Sequence, residues 1–153
     1  METATLGKIS MEVDAALTRQ IYSSIECGET KRCGCAYCRN YMAQLPGIFP
    51  KEVLAFFEIC GIDVNKDADV GQVGEIRPGT YCYLGEYFFI CKTPPLIDND
   101  NLPNDFTFAI TLPSPVTQEK FVNVPGARSF SFSCEVPWVL NEHPSLKKLP
   151  LSS

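Results

Sequence analysis

Arg128–Val136 reads RSFSFSCEV. Phe130, Phe132, Cys134 and Val136 alternate with Ser129, Ser131, Ser133 and Glu135. Successive side chains of a strand point to opposite faces, so this strand has one apolar face and one polar face. Such half-buried strands belong to antiparallel sheets. Cys134 falls on the apolar side and is expected in the core, where free Cys packs as a small hydrophobe.

Working outward, Phe106, Phe108, Ile110 and Leu112 alternate with Thr107, Ala109 and Thr111. They predict a second strand, ended by Pro113 and Pro115. Thr80–Lys92, TYCYLGEYFFICK, is predicted to be a hairpin turning at Gly85-Glu86, because Gly at the first central position suits a type II′ turn. A two-residue loop would set Leu84 opposite Tyr87 and Cys82 opposite Phe89, with Cys82 and Cys91 as diagonal neighbours on one face. Both faces of this segment are apolar or aromatic, so a central place covered on both sides is expected. Pro94-Pro95 and LIDNDNLPND predict a long loop. Phe121–Val124 predicts a short strand, and Gly126 a turn into the Arg128 strand. The tail after Trp138 is expected to cross the surface or fray.

The first half carries helix signals. Lys51–Cys60 holds Val53, Phe56, Phe57 and Cys60 on one face, with Pro50 fitting a first helical position and Gly61 a C-terminal stop. Cys60 is expected in the core. Ala36–Leu45 predicts a shorter helix, stopped before Pro46. Met11–Ile25 is ambiguous. Odd-numbered apolar residues suit a strand, while Leu17, Ile21 and Ile25 also suit a helix face. A strand followed by a helical turn is the reading adopted. Together these segments predict an α+β fold. A helical pair packs on an antiparallel sheet of four or five strands, and a Cys-rich knuckle precedes the helices.

Composition bounds the function. The 153 residues fit a single domain spanning 1–153. A formal net charge of −5 argues against nonspecific nucleic-acid binding, which needs a dense cationic surface. Lys31-Arg32 with Arg39, and Lys147-Lys148, read as solvated surface. No apolar run approaches the roughly 20 residues that span a bilayer. The first residues lack the pattern of a secretory signal, so a cytosolic, thiol-reducing location is expected.

Of the eight cysteines, Cys27, Cys33, Cys35 and Cys38 form a cluster spaced C-x5-C-x-C-x2-C. A two-residue spacer lets Cys35 and Cys38 curl round one ion, and Cys33 can add a third thiolate. These four are the candidate metal ligands, with zinc the expected ion. The fourth place could go to Cys27, or to a distant thiol such as Cys82 or Cys91. Other roles stay open, iron–sulfur binding and a disulfide among them. The thiols could be reduced and packed, or Cys35 and Cys38 could exchange electrons, since a C-x-x-C opening a helix lowers thiolate pKa. The one histidine, His143, sits in the loop NEHPS and reads as solvated. Asp63, Asn65 and Asp67 mimic the start of a calcium loop, but Ala68 stands where Gly is needed and Gly74 where a closing Glu should be. An exposed acidic loop is the better reading. No familiar catalytic motif is present.

The segments CGCAYCRNY, FPKEVLAFFEICGID, TYCYLGEYFFIC and FSFSCEVPWVL together resemble a group of small uncharacterised bacterial proteins. That group carries C-x-C-x-x-C-x-N, an F-P-x-E-V helix, Y-x-G-x-Y-x-F and a late P-W. The resemblance implies a bacterial domain and marks Cys33, Cys35, Cys38 and Asn40 as a site, with no activity attached. The leading expectation is a non-enzymatic cytosolic domain that binds a protein or a small ligand, not nucleic acid or membrane. Tyr81, Tyr83 or Tyr87 are its candidate contacts, although core packing is the better reading for most of them. The alternatives are a thiol redox protein using Cys35 and Cys38, and an immunity or adaptor protein acting through acidic loops.

Overall fold

A computed structural model describes residues 2–92, 98–102, 105–113 and 119–142. The chain opens with a hairpin, β1 (Glu2–Leu6) and β2 (Ile9–Val13). Four helices follow: α1 (Ala15–Ser23), α2 (Glu29–Cys33), α3 (Ala36–Ala43) and α4 (Lys51–Cys60). Then come β3 (Asp69–Arg77), β4 (Thr80–Ile90), β5 (Asp98–Leu102), β6 (Phe106–Thr111), the short α5 (Glu119–Val122) and β7 (Ala127–Pro137). The last five strands form one antiparallel sheet in the order β3-β4-β7-β6-β5, while β1 and β2 pair separately. The fold is α+β.

β7, the strand read first, lies at the centre of the sheet. Phe130, Phe132, Cys134 and Val136 are buried on its helix-facing side. Phe56 and Phe57 of α4 meet Phe130 at ring-centroid distances of 5.8 and 5.1 Å, and Tyr41 of α3 stacks over Phe132 at 6.4 Å. Helices α3 and α4 are thus the pair that seals this face. α4 begins one residue after Pro50 and stops at Gly61, whose φ of +84° is left-handed. A Cβ there would also stand 2.7 Å from the carbonyl oxygen of Ala15, so only glycine fits.

The predicted Gly85-Glu86 hairpin is not formed. β4 runs straight through both residues and pairs with β7 from Thr80↔Pro137 to Ile90↔Ala127. The chain reverses earlier, across Pro78-Gly79, where Arg77 pairs with Thr80. Gly85 faces Phe132 across the ladder, and a Cβ on it would lie 2.6 Å from two carbons of that ring. The glycine makes room for an aromatic ring. Leu84 therefore faces Ser133 and Cys82 faces Glu135, while Cys91 lies just beyond β4 and bridges to Val13. The outer face of β4 is covered only at one end. Phe88 and Ile90 are buried there, whereas Leu84 is 45% exposed.

Three other expectations change. The supposed acidic loop ends at Asp69, where β3 begins, and LIDNDNLPND contains β5. Both are edge strands. β3 carries two register shifts and β5 is almost wholly polar, so neither shows clean alternation. Met11–Ile25 divides at Asp14. Met11 and Val13 lie in β2, and a full helix follows because the Asp14 carboxylate accepts the Leu17 N–H at 3.0 Å as an N-cap. Phe121 sits in α5 rather than a strand. It is fully buried and wedged between Tyr22 and Phe88, with centroids 5.2 and 5.9 Å away.

Candidate thiol metal centre

The site is a corner between two helices. α2 is five residues long and ends on Cys33. Gly34 follows with φ +68°, a left-handed cap that turns the chain sharply. Cys35 is then the N-cap residue of α3, and Cys38 lies in its first turn. The three sulfur atoms lie within 4.8 Å of one another. Cys33 and Cys35 are exposed, and Cys38 is buried. Among the described residues, this trio is the group of potential metal ligands that the fold gathers.

Burial works against the Cys35 thiolate, but other contacts win. The backbone N–H of Cys38, the thiols of Cys33 and Cys38 and the N–H of Tyr37 together bring Cys35 below the usual thiol range. Cys38 moves the other way. Burial pushes it up, and donation to its neighbours and their charge add to the effect. An exposed thiol shifted down beside a buried thiol shifted up is what N–H donors at a helix start and burial impose on a C-x-x-C pair.

The floor is β4. The Tyr83 hydroxyl donates to the Tyr37 carbonyl at 2.7 Å and ties the first turn of α3 to the sheet. Burial, offset by donation from Asn40 and reinforced by the nearby Cys38 and Cys35 thiols, pushes Tyr83 up to about 12. Arg39 guards the corner from outside. Its Nε donates to the Gly34 carbonyl at 3.0 Å, and its guanidinium forms an ion pair with Glu142.

Asn40 is the fourth position that the resemblance marks, and its role is structural. It is fully buried. Its amide nitrogen donates to the Pro137 carbonyl at 3.1 Å, and its Oδ1 accepts the Val139 N–H at 2.8 Å. It clamps the exit of β7 onto α3. The late P-W pair is part of the same clamp. Trp138 packs on Tyr37 and Tyr81 with centroids 5.6 Å from each.

The other sequence candidates lie elsewhere. Cys27 is half-buried before α2 and falls outside the trio. Cys82 is half-buried on the outer sheet face, 3.6 Å from the Ser133 hydroxyl, and Cys91 is buried at the end of β4. His143 and Lys147-Lys148 lie outside the described residues. The calcium-like segment does not converge. Asp63 accepts the Asn65 N–H at 3.0 Å, while Asp67 is buried against Thr30. Tyr81, Tyr83 and Tyr87 are 7%, 0% and 0% exposed, so none offers a contact surface. Their positions are core positions because α3 and α4 cover that face.

Sequence reasoning missed Arg39 and Asp67 as parts of this corner. Arg39 sits within the cysteine segment, where proximity alone could have suggested it. Asp67 is brought in only by tertiary structure. No family model, curated protein or solved structure matches the chain. The corner supports two chemistries. Three thiolates suit one soft metal ion, and two neighbouring thiols can close a disulfide.

No helix among the described residues is long and apolar enough to cross a membrane.

Proposed function

We propose that the chain is a non-enzymatic binding domain whose α2–α3 corner holds zinc through Cys33, Cys35 and Cys38. What carries this reading is the approach of three sulfur atoms within 4.8 Å of one another. Zinc favours thiolate donors and four ligands, so a fourth donor from outside the trio completes the shell. Cys27, named with the other three from the sequence, is one candidate for that place. The bound ion would fix α2 against α3, which the sequence between them is too short to do by packing. A reducing bacterial cytosol would keep these thiols available, in keeping with the resemblance.

The binding surface is assigned to the outer face of the sheet. A concavity of about 480 Å³ lies there, lined by Leu84, Glu86, Thr107, Ala109, Ser131 and Ser133 among others. Its size and mixed lining suit a small polar ligand or a side chain of a partner protein.

Zinc titration of the reduced chain, with reactive thiols counted at each step, tests the metal reading. At least the three thiols of the trio should be protected per equivalent of zinc, and a fourth if Cys27 completes the shell. Protection of none, or only of core thiols already inert, counts against it.

A second reading is favoured by one observation. Cys35 is exposed at a helix start and Cys38 is buried one turn further on. That arrangement suits thiol–disulfide exchange, with Cys35 as attacking thiolate and Cys38 as resolving thiol. A stable Cys35–Cys38 disulfide with a defined reduction potential, and no zinc uptake, would favour it over the first.

A further inference from the structure

Asp67 is 1% exposed, and none of the chemistry above uses it. A carboxylate is costly to bury unless it is well bonded. Apart from its own backbone N–H, its partners belong to the start of α2. The Thr30 hydroxyl donates to Asp67 Oδ1 at 2.7 Å, and the Thr30 N–H approaches Oδ2 at 3.3 Å. The Glu29 N–H donates to the Asp67 carbonyl at 3.2 Å. The contact is close on its other side too. A Cβ on Gly28 would stand 2.4 Å from Asp67 Oδ1.

Apart from the Arg39 bond to the Gly34 carbonyl at its C-cap, α2 has little else to hold it. Five residues are too few to sustain a helix alone. Thr30 is its one buried residue, and its Arg32–Glu29 ion pair is exposed and worth little. Cys33, at the other end, is exposed, so core packing does not fix it. Asp67 itself is anchored. The next residue, Ala68, donates its N–H to the Glu86 carbonyl of β4 at 2.9 Å. Tyr83 of the same strand holds the start of α3, and with it Cys35 and Cys38. Cys33 and the other two thiols are therefore referred to one strand by two separate bonds.

We propose that Asp67 is a positioning residue for the thiol centre: through Thr30 it docks α2 on the sheet and so sets Cys33 within reach of Cys35 and Cys38. This rests on the metal reading above. An ordinary cap stabilises its helix wherever the helix sits. Asp67 is distant in sequence and joins α2 to the sheet. Its loss would shift Cys33 relative to the other thiols while α3 stays in place.

The test uses the full chain and the variants Thr30→Val, Thr30→Ser and Asp67→Ala. Cobalt(II) serves as a coloured substitute for zinc, since the intensity of its thiolate charge-transfer band follows the number of bound sulfurs. Thr30→Val and Asp67→Ala should weaken zinc binding by about 10- to 100-fold, in the range of other outer-shell losses, and lower that band. Thr30→Ser, which keeps the hydroxyl, should restore both. Wild-type affinity and band in Thr30→Val would overturn the proposal, as would equal losses in the valine and serine variants. If the wild-type chain binds neither ion, the metal reading fails by itself, and a metal-free readout decides the positioning claim. Diamide takes two hydrogens from a thiol pair to form a disulfide. Peptide mapping should then find fewer disulfides that include Cys33 in Thr30→Val than in wild type. An unchanged fraction overturns it.

Discussion

The ring of Phe132 occupies the space that a side chain at Gly85 would need. Gly85 lies directly opposite Phe132 in the β4–β7 ladder, and a Cβ on it would come within 2.6 Å of two ring carbons and 2.7 Å of a Val70 methyl. Phe132 in turn stacks on Tyr87 and Phe106 at centroid distances of 6.0 and 5.9 Å. Neither neighbour can give way without disturbing the centre of the sheet. Gly85→Ala should therefore destabilise the fold by about 1–3 kcal/mol, the usual cost of overpacking a filled core. Urea denaturation measures this. An alanine variant as stable as wild type would mean that the ring is freer than the packing implies.

Asn40 separates structure from site within the cysteine segment. Replacing it by alanine removes the acceptor of the Val139 N–H and one of the two donors to the Pro137 carbonyl, which keeps Gln44 Nε2. A hydrogen bond contributes about 0.5–1.5 kcal/mol, so Asn40→Ala, which loses two, should lose about 1–3 kcal/mol of stability. Zinc stoichiometry should not change. Loss of zinc with unchanged stability would make Asn40 a ligand instead.

The same comparison explains what the sequence could and could not reveal. β7 and β6 were legible because one face of each is buried and the other is partly exposed, which writes alternation into the residues. α4 was legible from its apolar face and Gly61. β4 was legible as sheet but not as one strand, because Gly85 has a turn-like neighbour and its real reason, Phe132, lies far away in sequence. β3 and β5 left little pattern, since bulged or polar edge strands need no apolar stripe. The trio Cys33, Cys35 and Cys38 could be read from local spacing. The clamp of Asn40 and the anchor of Asp67 could not, because both join segments distant along the chain.

Thiol reactivity should follow burial in the reduced, metal-free chain. Burial pushes Cys134 up to about 12, helped by the nearby Cys82 and Glu135, and pushes Cys60 up as well, with Cys91 adding to it. The thiolate is the nucleophile, so both should resist alkylation. Iodoacetamide with peptide mapping should label Cys35 and Cys33 before Cys38, Cys60, Cys91 and Cys134. Early labelling of Cys60 or Cys134 would contradict the packing of the core.

Asp67 makes a signed pH prediction. Burial raises its carboxyl above the ordinary 3.8, although the Thr30 donors pull in the opposite direction. The folded chain thus holds this proton more tightly than the unfolded chain does. Its contribution is most favourable below 3.8 and declines as pH rises through the folded value. Asp67→Asn removes the titration. In the presence of a chelator, wild-type stability relative to Asp67→Asn should fall from acid to neutral pH. Denaturation series at several pH values would show it. A flat or rising difference would contradict a buried, destabilised carboxylate.

The central claim is that three thiols at one helix corner hold a metal. The most direct measurement is elemental analysis of the protein purified in reducing buffer, with Cys35→Ser prepared alongside. The account predicts zinc at about one ion per chain, as a single closed thiolate site implies, and its loss from the serine variant. Zinc absent from the wild-type chain, or equally present in both proteins, would contradict it.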